Sequence, residues 1–129
     1  MSHCSQRYVE DAVRLYPDVF KHLESGVGIL NKKENLRHGL DDMRLALELF
    51  LKHLLSNEKS LENQNSDLGA YFKKVGISKE ISNTFIQIKG LYERFQNNNV
   101  KHNDNINLKE VEYIYQQTLC FMNLLLKVQ

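Results

Sequence analysis

Apolar side chains recur at steps of three and four residues along most of the chain, which is the spacing of an amphipathic helix. The clearest stripe consists of Leu36, Leu40, Met43, Leu47, Phe50 and Leu54. Similar stripes follow at Ile81, Phe85, Ile88, Tyr92 and Phe95, and at Val111, Ile114, Thr118, Phe121, Leu125 and Val128. No segment shows the alternation and hairpin turns of a strand pair. The pattern therefore predicts an all-α fold, a bundle of four longer helices plus one or two short ones.

Proline and glycine mark the predicted boundaries in the first third of the chain. Pro17 is the only proline, and it separates a short helix over about residues 5–15 from a second helix that starts at Pro17 itself. We expect the second helix to end at Ser25-Gly26-Val27-Gly28, because glycine is favoured just beyond a helix C-terminus. Ser56-Asn57-Glu58 is predicted to close the next helix.

Polar stretches divide the remaining helices. Residues 57–67 form a predicted polar loop, and a short helix follows over about 68–76. Ser78 and Asn107 are predicted N-caps of the next two helices. Six of the eleven residues over 97–107 are asparagine, so the preceding helix must stop there, since asparagine favours caps and turns.

Length and charge limit the classes of function. A chain of 129 residues suits one domain over 1–129. Seventeen Lys and Arg against sixteen Asp and Glu give a net charge of +1. That balance provides no general attraction to nucleic acid or to an anionic membrane, so such binding would need a local patch.

Cysteine usage and the absence of a targeting segment suggest a cytoplasmic location. The N-terminal residues 1–7 lack the apolar run of a signal peptide, and Asn123 and Lys127 interrupt the apolar part of the last helix. The two cysteines, Cys4 and Cys120, lie far apart with no metal-ligand spacing around them. We therefore expect a cytoplasmic protein with no membrane partner, no metal site and no cofactor.

The most chemically suggestive stretch is Phe95-Gln96-Asn97-Asn98-Asn99-Val100-Lys101-His102-Asn103-Asp104. With residues 43–52 and 59–64, it carries a resemblance to the HEPN superfamily over about 36–126, closest to the abortive-infection C-terminal-like branch. Residues 5–25 would then form an N-terminal helical extension. The resemblance implies a helical bundle that commonly dimerises, and many HEPN proteins are metal-independent ribonucleases of bacterial defence or toxin–antitoxin systems.

The HEPN signature is an arginine, usually a following polar residue, a few variable residues and then a histidine. The resemblance places His102 at the histidine, Asn97 at the arginine and Asn98 at the polar position. Histidine would act on the ribose 2′-hydroxyl and arginine on the phosphate, but asparagine carries no fixed charge. Arg94 lies three residues before Asn97, on the same predicted helix face, and is the candidate replacement. His102 and Arg94 are thus the candidate catalytic residues.

The candidate residues for binding RNA or phosphate are Asn97, Asn98, Lys101, Arg44 and Lys52. Arg44, Glu48 and Lys52 also have the spacing of an ordinary intrahelical ion-pair row. The run from Asn97 to Asn99 is equally typical of a simple helix cap and loop. His22, His38 and His53 have no partner at metal-ligand spacing and are expected at the surface. Tyr113 and Tyr115 could stack on bases but equally suit core or interface positions.

Two functions remain open from the sequence. One is a HEPN-like homodimer of a bacterial defence or toxin–antitoxin system that binds RNA, or that docks an antitoxin or a larger defence protein, with a degenerate ribonuclease motif. The other is an active metal-independent endoribonuclease that uses His102 with Arg94 as its phosphate contact.

Overall fold

The computed structural model describes residues 3–97 and 106–129, which form a helical bundle. Its helices are α1 (His3–Ala12), α2 (Pro17–Lys32), α3 (Leu36–Leu55), α4 (Asn65–Val75), α5 (Lys79–Ser82), α6 (Thr84–Asn97) and α7 (Leu108–Lys127). One-turn 3-10 helices occupy Val13–Leu15 and Leu61–Asn63. The described residues contain no strand, which confirms the predicted all-α class.

A hairpin of α2 and α3 forms the largest helix contact, and α7 packs against both α1 and α3. Helix α6 packs on α7, and α4 packs on α3. The shared core includes Val9, Val19, Leu23, Leu47, Phe50, Phe72, Phe85, Tyr92 and Met122, all nearly inaccessible to solvent. The N-terminal helices therefore contribute apolar residues to the same core as the rest of the bundle.

Helix α2 corrects one predicted boundary. It begins at Pro17 as predicted, but it continues through Ser25-Gly26-Val27-Gly28 to Lys32, so the predicted end at the glycines was wrong. Gly26 is buried, and a Cβ built there would lie 3.0 Å from the Met43 side chain. Gly26 thus lets α2 approach α3 closely, and burial in that contact offsets the roughly 1 kcal/mol that glycine costs inside a helix.

The segment after Ser78 corrects a second expectation. Ser78 is an N-cap as predicted, and its Oγ accepts the N–H of Ile81 at 3.4 Å. The helix is interrupted at Asn83, however, so α5 and α6 are separate helices. Because of that break Ile81 leaves the apolar stripe and is 44% exposed, whereas Phe85 is buried. The prediction that Ile81 is buried was wrong.

The polar loop between α3 and α4 is built around a fully buried amide. Gln64 and Asn57 exchange two side-chain hydrogen bonds of 2.9 Å each, and Gln64 also donates to the carbonyl of Lys59 at 3.1 Å. Asn57 further donates to Asp67 at 2.8 Å. These bonds satisfy the buried polar groups and hold the Leu61–Asn63 turn beside α3.

Candidate functional site

Of the two predicted catalytic residues, the structure describes only Arg94. Arg94 lies in the last turn of that helix with an exposed side chain. Asn97 is the last residue of α6, which agrees with the predicted stop. His102, Asn98 and Lys101 lie outside the described residues, so their roles stay predictions.

A side-chain hydrogen bond joins the end of α6 to the start of α3. Gln96 Nε2 donates to Asp41 Oδ1 at 2.7 Å, and Phe95 packs against the apolar core. At the start of the segment 106–129, Ile106 lines a cleft with residues 33–38 and Asp41. Asn107 then caps α7, its Oδ1 accepting the N–H of Lys109 at 2.8 Å. Both ends of the asparagine-rich connection therefore lie near the α2–α3 turn.

The polar row on α3 forms as predicted from its spacing. Arg44 Nη1 lies 3.6 Å from Glu48 Oε1, and Lys52 Nζ lies 3.7 Å from Glu48 Oε2. Arg44 also pairs with Glu62, which follows the Leu61 turn. Two carboxylates therefore balance the two cations, and the row presents no net positive charge.

This row is also tied into the fold beyond α3. Glu48 Oε1 accepts the backbone N–H of Leu61 at 2.9 Å, so one carboxylate joins the ion-pair row to the turn. Partial burial favours a higher pKa for Glu62, but hydrogen bonds from its own backbone and from Arg44, with the Arg44 charge, lower that pKa overall. Arg44 Nε is buried with no hydrogen-bond partner. These contacts assign Arg44 and Glu48 a structural role.

Arg94 does not join this row. Tyr92 points into the bundle, where its Oη bonds Thr118 Oγ1 at 2.6 Å, and Gln96 lies toward α3, where it bonds Asp41 at the surface. Arg94 is two residues from each, which places its side chain roughly 200° around the helix from both. The structure thus brings Arg44 and Lys52 together around Glu48 and directs Arg94 to the other side of α6.

Three histidines have carboxylate partners that sequence reasoning missed. His22 Nδ1 lies 3.1 Å from Asp42 Oδ1, and His38 Nε2 lies 3.6 Å from Asp42 Oδ2. Ser25 Oγ donates to Asp42 Oδ2 at 2.6 Å, so this buried carboxylate joins α2 to α3. The i, i+4 spacing of His38 and Asp42 was a usable signal, whereas the His22 contact depends on how the two helices pack.

His53 and the two tyrosines on α7 were the remaining residues that the sequence analysis considered for a functional role. His53 Nε2 lies 2.9 Å from Asp18 Oδ1 and is partly exposed. Partial burial favours a higher pKa for Asp18, but the bonds from His53 and the Val19 N–H lower it overall. Tyr113 is 54% exposed, whereas Tyr115 is buried and donates to the Gly26 carbonyl at 2.7 Å. Tyr115 is therefore a core residue, and only Tyr113 of the two tyrosines is open to contact.

Comparison with known proteins leaves the family open. No protein-family model, curated protein or solved structure matches the chain. Within the described part of the chain, no group of three or more His, Cys, Asp or Glu side chains is arranged to hold a metal ion. None of the helices described there has both the length and the apolarity needed to cross a bilayer. The HEPN resemblance therefore rests on the sequence alone.

Proposed function

We propose that the chain is a HEPN-like module of a bacterial defence or toxin–antitoxin system that dimerises and binds a partner protein instead of cleaving RNA. The observation that supports a binding role is the divergence of the three described cations that the resemblance assigns to phosphate. Arg44 and Lys52 are paired with Glu48, and Arg94 points to the other side of α6.

In the cleavage mechanism that the resemblance implies, an imidazole acts on the ribose 2′-hydroxyl and a cation binds the adjacent phosphate. In a metal-free mechanism a fixed guanidinium would stabilise the developing charge, and a neutral amide stabilises it far less. Asn97 occupies the signature arginine position. Arg44 is held by Glu48 and Glu62, so its charge is already neutralised. These features favour a scaffold that has kept the HEPN bundle without its phosphate cation.

The charges beside the end of α6 favour a protein partner over RNA. The cleft next to Ile106 includes Lys33 and Arg37, but also Glu34 and Asp41. RNA-binding surfaces cluster positive charge, whereas protein interfaces tolerate such mixed charges at their rims. The partner would be an antitoxin or a larger defence protein, bound at the end of the bundle where two copies meet.

An endoribonuclease is the second candidate, and one observation favours it. Arg94 is exposed in the last turn of α6, and its side chain forms no ion pair or hydrogen bond with the residues that the structure describes. A cation in that state is available to a phosphate. In this alternative His102 would move the proton of the 2′-hydroxyl, and Arg94 would bind the phosphate.

Incubation of the purified protein with single-stranded RNA in excess EDTA separates the two candidates. We expect the RNA to stay intact with the wild type and with every variant. Cleavage by the wild type that is lost in Arg94→Ala and in His102→Ala, but kept in Arg7→Ala, would overturn the binding role. Arg7 is the matched control because it is an exposed arginine on α1.

A further inference from the structure

A groove beside the N-terminal end of α6 has the composition of a small-molecule site. It lies between α4, α5 and the start of α6 and encloses about 440 Å³. Its walls are largely apolar and are formed by Leu68, Phe72, Ile77, Phe85 and Ile86. Binding sites for small organic ligands have volumes of about 300–1,000 Å³ and similar apolar linings. We call this feature the α4–α6 groove.

The polar groups of the α4–α6 groove are cationic. Lys73 and Lys79 line it, and no carboxylate does so among the residues that the structure describes. Two other polar lining groups already have partners: Asn65 Oδ1 accepts from Lys89 at 3.3 Å, and Ser82 Oγ donates to the Lys79 carbonyl at 2.9 Å. An occupant with a negative charge would therefore be favoured over a neutral or cationic one.

Apolar surface remains exposed at this groove in the protein alone. Ile86 lines it and is 50% exposed, and Ile81 on the adjacent α5 is 44% exposed. Covering such surface with an apolar ligand is favoured by the hydrophobic effect. A ligand with a hydrocarbon body and an anionic end would match both the walls and the lysines.

We propose that the α4–α6 groove binds an amphipathic carboxylate, with the alkyl chain against Phe72, Phe85 and Ile86 and the carboxylate near Lys73 and Lys79. A single medium-length alkyl chain suits the volume. The inference rests on the groove alone and does not depend on the proposed HEPN-like function.

Gly69 provides a way to fill the groove without disturbing the fold. It lines the groove, and a Cβ built on it meets no atom within 4 Å. Leucine in its place would occupy the space of the ligand, and it is also a better helix former than glycine. Gly90 on α6 likewise has open space around its Cβ but does not line the groove. Gly90→Leu is therefore the matched control.

The experiment is an amide NMR titration of the intact chain with octanoate, 1-octanol and octyltrimethylammonium, which share a chain length and differ in charge. We expect octanoate to shift the amides of groove residues and to bind at least fivefold more tightly than 1-octanol, with the cation weakest. Gly69→Leu should weaken octanoate binding at least tenfold, and Gly90→Leu should change it less than twofold. The double variant Lys73→Gln/Lys79→Gln should bind octanoate and 1-octanol equally.

Three results would overturn the proposal. The first is equal binding of the three amphiphiles by the wild type, and the second is an absence of shifts at groove amides. The third is wild-type octanoate affinity in a Gly69→Leu protein whose amide spectrum and thermal unfolding show a folded chain. If Gly69→Leu does not fold, the lysine variant decides, because retained preference for octanoate there contradicts the assigned position of the carboxylate.

Discussion

Glu48 on α3 accepts the backbone N–H of Leu61 at 2.9 Å, which joins the ion-pair row of one helix to a turn thirteen residues further along the chain. The same carboxylate lies within 3.7 Å of both Arg44 and Lys52. A row of charges that resembles a binding surface in the sequence therefore serves to hold the Leu61–Asn63 turn on α3.

Replacement of Glu48 tests this structural role. Glu48→Ala removes the acceptor of the Leu61 N–H and leaves Arg44 with one carboxylate, so we expect a loss of about 2 kcal/mol in the free energy of unfolding. Glu48→Gln keeps an acceptor and should lose less. Urea denaturation measures both, with Glu112→Ala, an exposed acid on α7, as the control. Equal stability of Glu48→Ala and the control would contradict the assignment.

Gly39 is a position where the packing of α3 against α2 and α7 excludes a side chain. A Cβ there would collide with the Tyr115 hydroxyl and lie 2.9 Å from Ile29 Cγ2. Tyr115 is fixed by its bond to Gly26, so relaxation is costly, and Gly39→Ala should destabilise the protein by about 1–3 kcal/mol. Gly90→Ala, with open space, should stabilise it by about 0.5–1 kcal/mol. Thermal unfolding of the two variants should shift in opposite directions, and shifts of the same sign would refute the contact.

The buried pair of Tyr92 and Thr118 predicts an asymmetric response to mutation. Thr118 Oγ1 donates to the Ile114 carbonyl at 2.9 Å, so Tyr92 Oη must donate to Thr118 at 2.6 Å. Tyr92→Phe leaves Thr118 bonded and should cost about 1 kcal/mol. Thr118→Val leaves the buried Tyr92 hydroxyl without a hydrogen-bond acceptor and should cost about 2–3 kcal/mol. Urea denaturation in which Tyr92→Phe is the more damaging change would contradict this hydrogen-bond direction.

Asp67 predicts how stability responds to acid. Hydrogen bonds from Lys59 and then Asn57 lower its pKa below the ordinary 3.8, despite slight desolvation. A carboxyl whose pKa is lower in the folded state stabilises the fold above 3.8, and the contribution disappears as pH falls through the lowered pKa. The stability difference between wild type and Asp67→Asn should therefore shrink between about pH 6 and pH 2.

Urea midpoints at a series of pH values measure that difference. Glu58→Gln, a change at an exposed acid in the same loop, is the control for general charge effects. An Asp67→Asn difference that is constant across the pH range would show that the carboxylate contributes nothing to acid sensitivity.

The buried faces of the helices could be predicted from the hydrophobic periodicity of the sequence. Leu40, Met43, Leu47 and Phe50 are all buried, because a stripe at alternating steps of three and four can face only one way once a helix forms. The helix end predicted at Gly26 was wrong, since a glycine at a close helix contact and a glycine after a helix end look alike in one sequence. Only the packing of α2 on α3 distinguishes them.

The candidate site was less accessible to sequence reasoning. The spacing of Arg44, Glu48 and Lys52 predicted their ion pairs, but the bond to Leu61 depends on a loop that folds back around the buried Gln64. The direction of Arg94 relative to Arg44 depends on the rotation of α6 against α3, which Gln96 and Asp41 help to fix. Contacts between distant segments carry no local periodic signal.

In the proposed homodimer, two copies meet at the end of the bundle that carries the α6 C-terminus. Dipolar coupling between nitroxide labels tests it most directly, with Arg94→Cys in a Cys4→Ser/Cys120→Ser background. Labels on Asn83→Cys, just before the start of α6 and about 17 Å away along the helix axis, provide the control. We predict a single short distance between labels at position 94 and a longer one at position 83. An absence of coupling at position 94, or a shorter distance at position 83, would contradict the account.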